Sequence, residues 1–197
     1  VKLILGALIL VFWLLALLTY SSHDAAWSTS GTGAATLNWG GRLGAVLADA
    51  SYYFLGFSVW WCVAALLRTW LSTLADWMRS DNTLPEMPQA DSSRRLSPRI
   101  RFWIGLLLLV FSSVALEWAR LHRLETYLPG SSGGVLGYLL GMMSVKLLGF
   151  TGSALVCIGL GVIGASMTFN FSWSRTALQL GAWIEALGAS RRQKNEI

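Results

Sequence analysis

The 197-residue chain is 54% hydrophobic and only 13% charged, with a mean hydropathy of +0.54, against roughly 25% charged residues in an average soluble domain. That composition excludes disorder, a coiled coil and a compact water-soluble enzyme, and 11 Trp beside 5 Tyr suit a bilayer protein whose amphipathic rings gather where hydrocarbon meets headgroups. The net charge of +5 does not point to nucleic acid, because most basic residues cluster beside apolar runs, where they act as topology signals and anionic-lipid contacts.

No charge interrupts the chain from Leu3 to Ser22, and Leu3 to Leu18 is an almost pure aliphatic and aromatic run. It is close to the ~20 residues a helix needs to cross a bilayer. With no A-x-A-like cleavage site after Leu18 and further long apolar runs downstream, it reads as a retained span rather than a cleaved signal peptide. Residues 21–40, rich in Ser, Thr, Gly and Ala, read as a polar external loop. A second apolar stretch runs from Leu43 to Leu74 with Arg68 inside it, and residues 79–101 form a proline-bearing charged linker. The third span is expected from Phe102 to Leu116, with Glu117 and Arg120 in its last turn able to snorkel to the interface. A short loop, Leu121 to Ser132, leads to a final apolar stretch from Val135 to Phe169.

The expected fold is therefore all-α and integral to the membrane. Its parts are a two-span unit at 1–78, a cytoplasmic linker at 79–101, a second two-span unit at 102–175 and a cytoplasmic juxtamembrane segment at 176–197. With both termini inside, the cytoplasmic side holds Lys2, Arg68, Arg79, Arg94, Arg95, Arg99, Arg101, Arg175, Arg191, Arg192 and Lys194, and the outer side holds only Arg42, Arg120, Arg123 and Lys146. The positive-inside rule favours that orientation.

The last apolar stretch is too long for one straight span, and Lys146 with Gly149 and Gly152 marks its break. The second stretch carries a similar break at Leu55-Gly56-Phe57. A shift of 93 residues aligns Gly40, Gly41, Leu43 and Gly44 with Gly133, Gly134, Leu136 and Gly137, Ser51 with Ser144, and Leu55-Gly56-Phe57 with Leu148-Gly149-Phe150. A shift of 99 aligns Lys2 with Arg101, Phe12 with Phe111, and Ala16-Leu17 with Ala115-Leu116. The chain thus reads as two parallel tandem repeats, each a span, an external loop, a short periplasmic amphipathic helix, a Leu-Gly-Phe break and a returning span.

Small residues recur at helical spacing: Gly44, Ala48 and Ser51, then Gly137, Gly141 and Ser144, then Ser153, Cys157, Gly161 and Ala165. They let backbones approach closely where lipid removes the hydrophobic driving force, either within the chain or between copies. Arg42 and Asp49 share a helical face with Tyr53 and are expected on the polar side of the outer helix. Lys146 is likewise expected clear of the hydrocarbon. Cys62 and Cys157 lie in apolar segments without ligand spacing and read as packing residues. His23 and His122 stand in external loops with no carboxylate or Cys at ligand spacing. No GxxxxGK[ST] loop or HExxH occurs, so no catalytic, cofactor-binding or metal site is assigned.

The exit from the first span, Thr19-Tyr20-Ser21-Ser22-His23-Asp24-Ala25-Ala26-Trp27-Ser28, resembles the S-Y-S-x-x-D-x-x-W pattern of the N-terminal four-helix membrane domain in FtsK-type (FtsK/SpoIIIE) bacterial DNA translocases. Asn38, Gly40, Gly41, Gly44, Ala45, Ala48 and Asp49, followed by Leu55-Gly56-Phe57, are similar to the family's N-x-x-G-x-x-G-A-x-x-A-D stretch and the break after it. Phe171-Ser172-Trp173 closes the match, while Ala25-Ala26 departs from the proline common near the Asp. The resemblance implies a membrane anchor that joins the division machinery at the septum of the bacterial inner membrane. A long linker would lead to a hexameric, ATP- and Mg-dependent motor on double-stranded DNA, and DNA would be touched only by that motor. Arg191-Arg192-Gln193-Lys194 would clamp anionic lipid. Trp27, Asn38, Arg42 and Asp49 are the expected outer-surface contacts for partners, and Gly44, Gly56, Gly137 and Gly149 the expected packing and assembly positions. The competing classes are a small transporter or channel subunit and a septal scaffold without a motor.

Overall fold

A computed structural model describes residues 1–33, 35–80, 97–121, 131–171, 178 and 181–183. Five helices account for most of them: α1 (Lys2–Leu18), α2 (Gly41–Leu55), α3 (Val59–Ser80), α4 (Pro98–Arg120) and α5 (Gly134–Phe169), with a 3-10 turn, Gly56–Ser58, between α2 and α3. No strand occurs among the described residues. Three helical stretches, Gly41–Arg79, Pro98–Arg120 and Gly134–Phe169, are long and apolar enough to cross a membrane, and Lys2–Leu18 is a shorter apolar helix of 17 residues. Most of the linker 79–101, the loop 121–132 and the segment 176–197, including Arg191, Arg192 and Lys194, lie outside the described residues.

Residue contacts order the helices between two levels. At one end Tyr52 Oη donates to the Leu17 carbonyl at 3.2 Å, and Ala16, Leu17, Ala48, Tyr52, Val59 and Val63 form a buried core with Trp13, Leu14 and Tyr20 against it. At the other end Trp70 Nε1 donates to the Leu3 carbonyl at 2.9 Å, so α1 and α3 run antiparallel. Arg68 Nη1 donates to the Thr168 carbonyl, beside Gly105, where an added Cβ would lie 2.8 Å from Thr168 N. That contact puts Arg68 level with the C-terminal turn of α5, where a cation complements the unpaired helix carbonyls.

Helix α4 begins at Pro98, before the expected Phe102, because Ser97 caps it: Ser97 Oγ accepts the Ile100 N–H at 3.4 Å and proline occupies the first turn. Its far end meets the start of α5. Glycines carry this helix pair, since an added Cβ at Gly137 would lie 2.6 Å from the Val114 carbonyl oxygen and one at Gly164 would lie 2.5 Å from Leu109 N. The small-residue stripes are thus spent inside the chain, with Gly141 against the Trp118 ring and Gly161 against Ser112.

Both expected breaks are present. Gly56 (φ 57, ψ −146) ends α2, and Gly149 (φ 70, ψ 173) is the non-helical residue inside α5. Both conformations are open to glycine and costly for other residues.

Candidate functional site

The end of the molecule where α1 gives way to α2 is held by buried polar side chains. A helix leaves its last four carbonyls without partners, and in an apolar setting each must be satisfied. Here Thr19 Oγ1 donates to the Leu15 carbonyl at 2.7 Å, and Asn38 Nδ2 donates to the carbonyls of Ala16 at 2.8 Å and Thr19 at 3.2 Å. Asn38 Oδ1 in turn accepts the Gly40 N–H at 2.9 Å, just before α2 begins. Asn38 is itself fixed by Asp24, whose carboxylate accepts the N–H groups of Leu37 at 2.8 Å and Asn38 at 2.9 Å. Residues 21–33 and 35–40 therefore form a folded cap.

Asp49 anchors the other limb of this cap. Its carboxylate accepts the Ser28 N–H at 2.6 Å and the Ser28 hydroxyl at 2.7 Å, and the side chain is 0% exposed. Tyr20 packs beside it with its ring tilted 59° against Tyr52, centroids 5.2 Å apart. Burial, then the nearby Asp49 charge, pushes the Tyr20 phenol well above its usual range, so it stays neutral.

The second polar knot joins the two halves of the chain. Glu117 on α4 accepts the Phe57 N–H at 3.0 Å and the Ser58 hydroxyl, and so caps the 3-10 turn that leads into α3. Arg120, one turn on, donates to the Phe150 carbonyl at 3.1 Å with its guanidinium 3.8 Å from that ring's centre.

Two expected surface positions are corrected by this geometry. Asn38 (4% exposed) and Asp49 (0%) are interior, because their hydrogen-bonding groups close the cap instead of facing partners. Asp49 pairs with Ser28 and makes no ion pair with Arg42 among the described residues. Glu117 is also corrected: it is 5% exposed and turned into the protein, so only Arg120 reaches the surface. Trp27 stays exposed, its ring packed edge-on at 5.4 Å from Phe54, and Arg42 and Lys146 are exposed. Gly44 abuts Asn38 and Ala16, Gly56 abuts Gly133, and Gly149 has nothing within 4 Å of an added Cβ.

Asp24, Ser28 and Ser58 are not among the expected site residues, and Glu117 is expected only to snorkel. The Asp24 position stands within the family-like pattern, and its spacing to Asn38 was the available signal. Trp39 and Leu43 are exposed beside Arg42. Among the described residues no three His, Cys, Asp or Glu side chains gather as metal ligands would, and Cys62 and Cys157 are free thiols.

Residues 1–181 match the family described as the 4TM region of DNA translocase FtsK/SpoIIIE. The chain is 35% identical over 192 residues to DNA translocase FtsK 2 of Ralstonia nicotianae, covering 94% of this chain and 23% of that protein. It is 34% identical over 172 residues to DNA translocase FtsK of Pseudomonas aeruginosa, with 86% of this chain and 20% of that protein covered. Against DNA translocase FtsK of Vibrio vulnificus it is 29% identical over 189 residues, covering 94% of this chain and 17% of the relative. The chain therefore spans about a fifth of the length of these curated relatives. No solved structure matches it.

Proposed function

Since the chain belongs to the FtsK/SpoIIIE family of DNA translocases and carries its 4TM region, we propose that it anchors an ATP-driven double-stranded-DNA pump in the bacterial inner membrane at the division septum. There it joins the pump to division-machinery membrane proteins and couples chromosome segregation to cell division. ATP and Mg²⁺ serve the motor, and DNA is contacted by the motor alone. The anchor makes four passes, N-in and C-in, with the eleven-to-four partition of Lys and Arg setting the orientation. Lys2–Leu18, ~25 Å long at ~1.5 Å per residue, crosses with slight local thinning of the bilayer.

The two-repeat reading is supported by paired backbone shapes. Gly41 (φ 61) and Gly134 (φ 64) correspond at the shift of 93, as do Gly56 (φ 57) and Gly149 (φ 70). In each unit the first turn of the outer helix rests on the end of the preceding span, Gly44 on Ala16 and Gly137 on Val114.

One observation carries the proposal: the end where α1 meets α2 and α4 meets α5 is locked by Asp24, Asn38, Asp49 and Glu117, all buried. A rigid outer end displays Trp27 and Arg42 in fixed positions, as a recruiting surface requires. Single-cysteine labelling in a background free of Cys62 and Cys157 tests the arrangement. A cysteine at Ser92 is protected from an impermeant reagent in cells with a permeabilised outer membrane, while one at Thr36 is labelled. Labelling at Ser92 would overturn the topology.

A further inference from the structure

Among the contacts through which the two units meet inside the chain is a close approach of glycine backbones. A Cβ added to Gly56 would lie 2.6 Å from Gly133 Cα, and one added to Gly134 would lie 2.6 Å from the Tyr53 carbonyl oxygen. The break of the first unit thus seats on the start of the second unit's outer helix. At the shift of 93 the counterparts of Gly56 and Gly134 are Gly149 and Gly41. Both hold the same left-handed φ, 70 and 61, yet an added Cβ at either meets nothing within 4 Å. The shapes that make the contact once are present a second time, uncovered, one on each unit.

We propose that a second copy of this chain covers them, the Gly149 break of one copy seating on the Gly40-Gly41 start of α2 in the next. This deepens the anchoring reading and rests on it. The contact is heterologous, head to tail, so it propagates from copy to copy and closes into a ring if the rotation permits. The side chains around it are suited to an apolar seam. Leu147 and Leu148 are exposed on one side, with Phe150 beside them under the Arg120 guanidinium, and Leu18, Trp39 and Leu43 are exposed on the other. Where the internal contact has Glu117 against Ser58, the shifts of 99 and 93 place Leu18 and Thr151. The external version therefore buries no carboxylate, and close glycine backbones supply the packing as they do between helices in lipid. Arg42 and Lys146, at the rim, extend to water or headgroup phosphates.

The test is disulfide or short-bismaleimide crosslinking of the chain in bacterial membranes, with Cys62→Ala and Cys157→Ala. Two differently tagged populations are co-expressed, one with Arg42→Cys and one with Leu147→Cys, both at exposed positions that leave the fold intact. The expected result is mixed-tag dimers several-fold above a control pair at Leu8→Cys and Leu107→Cys, and ladders beyond dimer when one chain carries both Arg42→Cys and Leu147→Cys. Membrane-embedded chains that crosslink no better than the control, or only 42 to 42 or 147 to 147, overturn the inference and leave the anchoring reading standing. Chains missing from the membrane fraction overturn both.

Discussion

Glu117 and Ser58 meet across the two halves of the chain: the carboxylate on α4 accepts the Ser58 hydroxyl in the 3-10 turn just before α3, with the Phe57 N–H 3.0 Å away on its other oxygen. Glu117→Ala orphans both donors in a buried site and is expected to cost about 1–3 kcal/mol for each unsatisfied group. Glu117→Gln retains an acceptor and costs less. Thermal unfolding in detergent reads the order wild type, Gln, Ala; an Ala variant as stable as wild type removes the contact's structural role.

The cap between α1 and α2 separates a buried residue from its exposed neighbour. Asn38→Ala frees the Ala16 and Thr19 carbonyls and the Gly40 N–H, so a loss of about 1–3 kcal/mol and faster proteolysis within 21–40 are expected. Arg42→Ala, exposed and without an ion pair to Asp49, changes stability by no more than about 0.5 kcal/mol. Equal protease resistance in the two variants would show that the cap does not depend on Asn38.

These two knots also mark where the sequence is legible and where it is not. Apolar runs and glycine punctuation located the helices and both breaks, because hydrophobic periodicity and positive φ are properties of short segments. Gly56 and Gly149 were found for that reason. The fate of a lone polar residue depends on what the fold brings to it. Asp49 lies seven residues from Arg42 on one helix, yet its partner is Ser28 in the preceding cap. Glu117 sits at a helix end, where a carboxylate commonly reaches water, but the chain returns Phe57 and Ser58 to it across 60 and 59 residues. Hydropathy also sets the start of α4 at Phe102, whereas the Ser97-Pro98 cap, a local signal, sets it earlier.

The glycine pairs give a graded prediction. Gly44→Leu and Gly137→Leu both overpack a helix end and are each expected to cost about 1–3 kcal/mol or more. Gly56→Ala adds a clash with Gly133 to its backbone strain, whereas Gly149→Ala meets open space and bears only its backbone strain, about 1–3 kcal/mol. Unfolding midpoints for the four variants check this. A neutral Gly137→Leu beside a severe Gly44→Leu would remove the equivalence of the two units.

The proposed recruitment role separates from folding by residue. Trp27→Ala, exposed, is expected to weaken partner engagement with membrane insertion intact, while Asp49→Ala loosens the cap itself. The most direct measurement is fluorescence localisation of residues 1–197, fused to a reporter and expressed without any motor in dividing cells. The account predicts a band at the septum that Trp27→Ala dims without reducing membrane-bound protein. An even distribution of the unsubstituted 1–197 chain around the membrane would contradict it.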